Sequence, residues 1–236
     1  MSTSMTASLD LSVLLTGNYP KWIAHGLATT MQLTALAWVL AMAVGTALAV
    51  ARMGDNRWLR AAVAAFVEYH QNVPILVQIF LWYFGMPTLL PDSVQQQINH
   101  RNGEFFFAFV AVGLCMGAYI SEDLRAGIRA IPRSQLEASR ALGLGYLKAF
   151  RLVVLPQAAR IALPTIVSHT VLLFKNTSLA MTVGVAELTY VTREIESQTF
   201  RTTEVYLFTT AAYLGVSLLI IAGGEVLARR YRLGAR

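Results

Sequence analysis

The chain has 236 residues, of which 56% are hydrophobic and only 14% charged, and its mean hydropathy is +0.52. A soluble domain carries roughly 25% charged residues, so this composition excludes a globular surface covered by water. The formal net charge of +6 would suit nucleic acid, but the basic residues are spread over the connections between apolar runs, which argues against a nucleic-acid-binding face.

The first fifteen residues lack a basic stretch followed by an apolar core, so no cleavable secretory signal is expected and the first apolar run serves for insertion. That run, 26–51, holds 26 residues without a charge. As a helix it reaches about 39 Å, enough to cross a hydrocarbon core of roughly 30 Å. A second span is predicted over 61–86, containing Glu68, His70 and Pro74 and apolar from Val73 onward. The third, 104–121, holds Cys115, the single cysteine, which permits no internal disulfide and matches no zinc or redox spacing. Gly113 and Gly117 in this run have the spacing that lets two membrane helices approach closely.

A charged connection, 122–160, follows. Ser134 and Glu137 have the spacing of a capping box, which starts a short helix. Gly143 is placed to end that helix in a left-handed turn. Leu147, Phe150 and Val154 share one face of a second short helix, and Pro156 is expected to stop it. The connection therefore reads as a helical elbow. The fourth span, 161–186, carries Lys175 about half-way along, and the fifth covers 204–227. Backbone groups in lipid must be satisfied internally, so the fold class is an all-α integral membrane protein of five helices in a single domain, 1–236.

Orientation follows from the cations. With the N-terminus outside, Arg52, Arg57, Arg60, seven cations of 122–160 and the tail's Arg229, Arg230, Arg232 and Arg236 fall inside, fourteen in all. Only Lys21, Arg101, Arg193 and Arg201 fall outside. That bias puts the C-terminus and the elbow in the cytoplasm.

A lysine in mid-membrane costs about 2.5–3.5 kcal/mol on insertion scales. Lys175, with Asn176, Thr177 and Ser178, forms a polar cluster that would line a pathway, its ammonium meeting a substrate carboxylate. The alternatives are a structural pair with Glu187 or Glu68, or a cap on a broken helix. Glu68 and His70 read either as a proton relay or as interfacial groups at a pore mouth, where Pro74 kinks the helix. Asn176-Thr177-Ser178 matches a glycosylation sequon, which a membrane position rules out. No catalytic set, metal-ligand spacing or cofactor motif is found. Gly143-Leu144-Gly145 lacks the trailing glycine and lysine of a phosphate loop.

Glu137-Ala138-Ser139, Gly143, Phe150, Val154 and Leu155-Pro156 together resemble the EAA loop of ABC importer permeases, with Ser139 for the second alanine and Val154 next to the Leu-Pro pair. "NVPILVQIFLWYFGMPTLLP" and "FKNTSLAMTVGVAELT" are similar to the second- and fourth-helix signatures of the polar amino acid uptake family. The resemblance spans most of 72–189 and is nearest to its glutamate/aspartate branch. Gln71 departs from the arginine usual before "NVP".

The resemblance implies a subunit of the bacterial inner membrane that does no chemistry itself and requires no cofactor. Its partners would be an ABC ATPase dimer, a second permease subunit (identical or a paralogue), an extracytoplasmic amino-acid-binding protein and the lipid bilayer. Glu137, Ala138, Ser139, Arg140, Gly143, Phe150 and Pro156 would form the ATPase-coupling elbow, with Leu147 and Phe150 anchoring it to the membrane domain. Lys175, Asn176, Thr177, Ser178, Gln78 and Glu68 would belong to the substrate pathway. The competing reading is a stand-alone secondary carrier driven by an ion gradient, against which stands the lack of a convincing internal repeat.

Overall fold

The computed structural model describes residues 9–99 and 102–230. The first eight residues and Arg101, Arg232 and Arg236 of the charge count lie outside the described residues. Every regular element among the described residues is helical.

Among the described residues, four helices are long and apolar enough to cross a membrane: α1 (Tyr19–Ala51), α5 (Gly103–Arg129), the run from Tyr146 to Val183, and α10 (Thr202–Arg230). Between α1 and α5 lie α2 (Arg57–Asn72), α3 (Ile75–Phe80) with the turns that continue it to Leu89, and α4 (Asp92–Asn99). The predicted second span, 61–86, is therefore not one straight helix: α2 and the segment Ile75–Leu89 meet at 109°. Pro74 is the cause. It has no amide hydrogen and forces the preceding residue out of the helical region, and Val73 is extended, with φ −93° and ψ 129°.

α5 is the central pillar. Its most apolar stretch is 61% buried within the chain, whereas the corresponding stretches of Tyr146–Val183 and α10 are only 17% buried. α1 packs along α5 over most of its length, and small residues make that possible. A Cβ added at Gly45 would sit 2.9 Å from the Gly117 carbonyl and 2.8 Å from the Ile120 side chain, while Gly113 and Gly117 face Leu40 and Val44. Without a hydrophobic drive between helices in lipid, such close approach is what holds them together. Leu33, Ala37, Ile79, Val112, Met116 and Leu173 form the centre of the resulting core.

The connection between α5 and the fourth span contains α6 (Arg133–Ala141), α7 (Tyr146–Ala149), a π-helical turn (Phe150–Val154) and α8 (Leu155–Asn176). Three expectations need correction here. α6 starts one residue before Ser134, its N-cap is Pro132, and no side-chain cap bond forms, so the capping box is absent. Pro156 starts α8 instead of stopping a helix. A proline in a first turn lacks an amide hydrogen that would have no partner there, and the carbonyl its ring would strike, that of Leu152, lies in the π-helical turn. Leu147 does not anchor the elbow, being 76% exposed, because its helical face turns away from the bundle. After α8 a 3-10 helix (Thr177–Val183) and α9 (Leu188–Thr199) lead into α10.

Candidate functional site

Two features carry the functional potential: the elbow, and the polar residues that the chain places among its membrane helices. In the elbow, α6 ends in a complete glycine stop. The Gly143 amide donates to the Arg140 carbonyl (2.9 Å) and the Leu144 amide to the Ser139 carbonyl (3.2 Å). Gly143 has φ +86°, a left-handed conformation that costs other residues about 1–2 kcal/mol. Ser139 is buried and its hydroxyl donates to the Leu136 carbonyl (2.8 Å), which explains why a small residue stands there. Glu137, Ala138 and Arg140 are exposed and Phe150 is half-buried. Leu142, Tyr146 and Leu147, at 85%, 58% and 76% exposure, form an uncovered apolar tip around the glycine.

The polar residues divide between two cavities. The larger, about 590 Å³, lies between α8, α9 and α10, and its polar lining includes Lys175, Ser178, Thr189, Thr209, Thr210 and Tyr213. Lys175 is exposed and has no ion pair among the described residues. The expected structural pairs do not form. The Glu68 side chain accepts from Asn72 (3.0 Å). Glu187 is fully buried and accepts from the Tyr190 amide and the Tyr213 hydroxyl, each at 2.8 Å. Beside it, the Leu188 amide donates to the Thr30 hydroxyl (3.0 Å), and Thr189 lies 2.9 Å from Tyr213. Glu187 thus ties α1, α9 and α10 into one polar seam behind the cavity wall.

The smaller cavity, about 310 Å³, opens at the break between α2 and α3, and His70, Gln71, Asn72, Tyr119 and Asn176 lie around it. Gln78 clasps that break. Its amide nitrogen donates to the carbonyls of His70 (3.1 Å) and Val73 (2.7 Å), and its oxygen lies 2.6 Å from His70 Nδ1. With the amide so oriented, Nδ1 must carry the proton. Gln78 is fully buried and lines neither cavity.

The sequence cluster at 175–178 is thus dispersed. Each residue steps about 100° around a helix, so Lys175 and Ser178 reach one cavity and Asn176 the other. Thr177 is buried, with its hydroxyl on the Phe174 carbonyl (2.6 Å). Glu68 is exposed on α2. Sequence reasoning missed Tyr213, Thr209 and the Glu187 seam. The one available signal was a carboxylate set between Val185-Ala186 and Leu188, where charge is otherwise absent.

At the end of the bundle that carries the elbow, α5 is pinned on both sides. Asp123 meets His169 Nδ1 of α8 at 2.6 Å, and Glu122 pairs with Arg52 of α1 and lies 3.4 Å from Arg125. These bonds hold the root of α6 against both neighbouring helices.

Residues 41–233 match the family described as the inner membrane component of binding-protein-dependent transport systems. The chain is similar to the glutamate/aspartate import permease protein GltJ of Escherichia coli (strain K12), 32% identical, over 91% of this chain and 89% of that one. It is similar also to PatM of Vibrio harveyi, a probable amino-acid ABC transporter permease protein, 34% identical, over 82% and 84%. Among solved structures it resembles the crystal structure of an amino acid ABC transporter with histidines, with a TM-score of 0.82 and 27% identity, over 94% of this chain and 99% of that one.

Proposed function

The chain belongs to the family of binding-protein-dependent transport system inner membrane components; within it, we propose, the chain is the permease subunit of an ATP-driven importer of polar amino acids. Both relatives and the solved transporter are amino-acid systems by name. Glutamate and aspartate are the substrates to test first, on the strength of the Escherichia coli relative. The transporter with histidines keeps the wider class of polar amino acids in play.

The observation that carries the mechanism is the elbow. A glycine-stopped helix, α6, is followed after Gly145 by a membrane-length helical element, Tyr146–Val183, and Leu142, Tyr146 and Leu147 expose the tip between them. A push on that tip is transmitted along α8 to the cavity that Lys175 and Ser178 line, and through Gly143 to α6 and α5. The tip would dock on an ATPase subunit, with Glu137 and Arg140 at the rim and Ala138 and Gly143 permitting close approach. Closure of the ATPase dimer on ATP would then rock two permease subunits about the pathway.

In this reading the N-terminus faces the outside, the elbow lies in the cytoplasm of a bacterial cell, and an extracytoplasmic binding protein delivers the amino acid. Lys175 meets the substrate carboxylate. Glu68 and Asn176 belong to the approach at the α2–α3 break, and Gln78 holds that break in shape. Family membership favours this reading over a stand-alone carrier.

The test is Gly143→Asp. It puts a charge on the exposed tip and a side chain into left-handed backbone, where no neighbouring atom lies within 4 Å of the new Cβ. Membrane insertion should be unchanged and ATP-stimulated transport in the assembled system should fall to background. Normal coupled transport by this variant would count decisively against docking through the elbow.

A further inference from the structure

Four guanidinium groups converge where α1 ends, α2 begins and α5 ends. Arg52, Arg60, Arg125 and Arg129 line a cavity of about 250 Å³ there. The other lining groups, Ala49, Met53 and Ile128, are apolar. One carboxylate serves the cluster: Glu122, shared by Arg52 and Arg125. Arg60 and Arg129 have no ion-pair partner among the described residues, and Asp55, in the turn between α1 and α2, joins no ion pair. Asp123, the neighbour of Glu122, is engaged with His169 on α8. The cavity therefore has an excess of three positive charges. Arg52 is largely withdrawn from water, at 14% exposure. Arg52 already has Glu122, whereas Arg60 and Arg129 stand exposed at the cavity rim, so it is their charges that are open to an anion.

We propose that this cavity binds the phosphate headgroup of an anionic membrane phospholipid. Free phosphate shares that chemistry, but the position favours lipid. Ala49 belongs to the last turn of a 33-residue apolar helix. Val50 and Met53, beside the cavity, expose 61% and 41% of their surface, an apolar flank next to the cations. Basic cavities between membrane helices at the bilayer edge are suited to such headgroups, because guanidinium forks bind phosphate oxygens in pairs. Arrangement separates this site from the general surplus of arginine on one side of the membrane: Arg52, Arg60, Arg125 and Arg129 line one space, whereas Arg133, Arg140 and Arg151 do not line it. A bound headgroup would tie the turn between α1 and α2 to the end of α5, three residues before α6 begins. The inference rests on the chain spanning a membrane and not on what it carries.

The test uses the full chain in nanodiscs of equimolar phosphatidylglycerol and phosphatidylcholine, with retained lipid read by native mass spectrometry. The wild-type chain should retain phosphatidylglycerol selectively. The double variant Arg60→Gln/Arg129→Gln leaves the Arg52–Glu122–Arg125 bonds in place and should weaken retention about thirty-fold. Arg133→Gln/Arg151→Gln makes the same change of charge and should leave retention unaltered. Arg60→Lys/Arg129→Lys should recover most of the retention, which guards against a folding defect in the glutamine pair. Equal loss in both glutamine pairs, no selectivity in the wild type, or displacement of the lipid by millimolar inorganic phosphate would each overturn the proposal.

Discussion

Lys175 stands at the second-last position of α8, exposed, against a cavity whose other polar groups are hydroxyls. Its oddity was legible in the sequence, because a charge in an apolar run is costly and needs a reason. What surrounds it was not legible. Tyr213 and Thr209 come from a helix more than thirty residues away, and no local pattern links them to Lys175. Glu187 looked like a partner for the lysine because both are charges in apolar surroundings. The fold instead gives Glu187 the Tyr190 amide and the Tyr213 hydroxyl and leaves the ammonium free for a ligand. Gln78, placed in the substrate pathway by the family resemblance, has hydrogen bonds that all go to the break at Pro74. At this scale the expected outcome is that Lys175→Met raises the KM for uptake about ten- to a hundred-fold, the worth of roughly 1.5–3 kcal/mol in a hydrogen bond to a charged group. Yield and thermal stability should stay unchanged. An unaltered KM would remove Lys175 from the pathway.

The long helices α1, α5 and α10 were legible at the element scale, since nothing else satisfies the backbone of a long uncharged run in lipid. Their punctuation was ambiguous. Pro74 and Pro156 are the same letter in similar apolar company, yet one breaks a span by 109° and the other starts a helix. The difference is positional: Pro74 follows a complete helix, whereas Pro156 falls where a π-helical turn has already relaxed the preceding carbonyls. Gly113 and Gly117 were read as packing residues from spacing alone, and they face α1. Their counterpart Gly45 had no such signal. Close approach at Gly45 predicts that Gly45→Leu costs at least about 1–3 kcal/mol through overpacking, read as a lower unfolding temperature in detergent. Gly215→Leu, with open space around its Cβ, should leave that temperature near the wild-type value. Equal behaviour of the two variants would show that the α1–α5 contact does not hold the bundle.

At the scale of the whole molecule, burial is lopsided. α5 is enclosed by the chain's own helices, while Tyr146–Val183 and α10 present most of their apolar surface outward. Leu214, Leu218, Leu219 and Val226 of α10 are more than half exposed. Such surface suits lipid or a second subunit, and the 590 Å³ cavity opens on that same side, between α8 and α10. The proposed pathway, closed by a second permease subunit, would account for both features. None of this was legible in composition, which reports how apolar a helix is and not what covers it.

The most direct measurement of the central claim is uptake of labelled glutamate and aspartate into proteoliposomes. One preparation would contain this chain with its ATPase, second permease subunit and binding protein, and the other this chain alone. The account predicts uptake only in the complete assembly and only with ATP, with no response of the lone chain to a proton or sodium gradient. Gradient-driven uptake by the lone chain, indifferent to ATP, would contradict it.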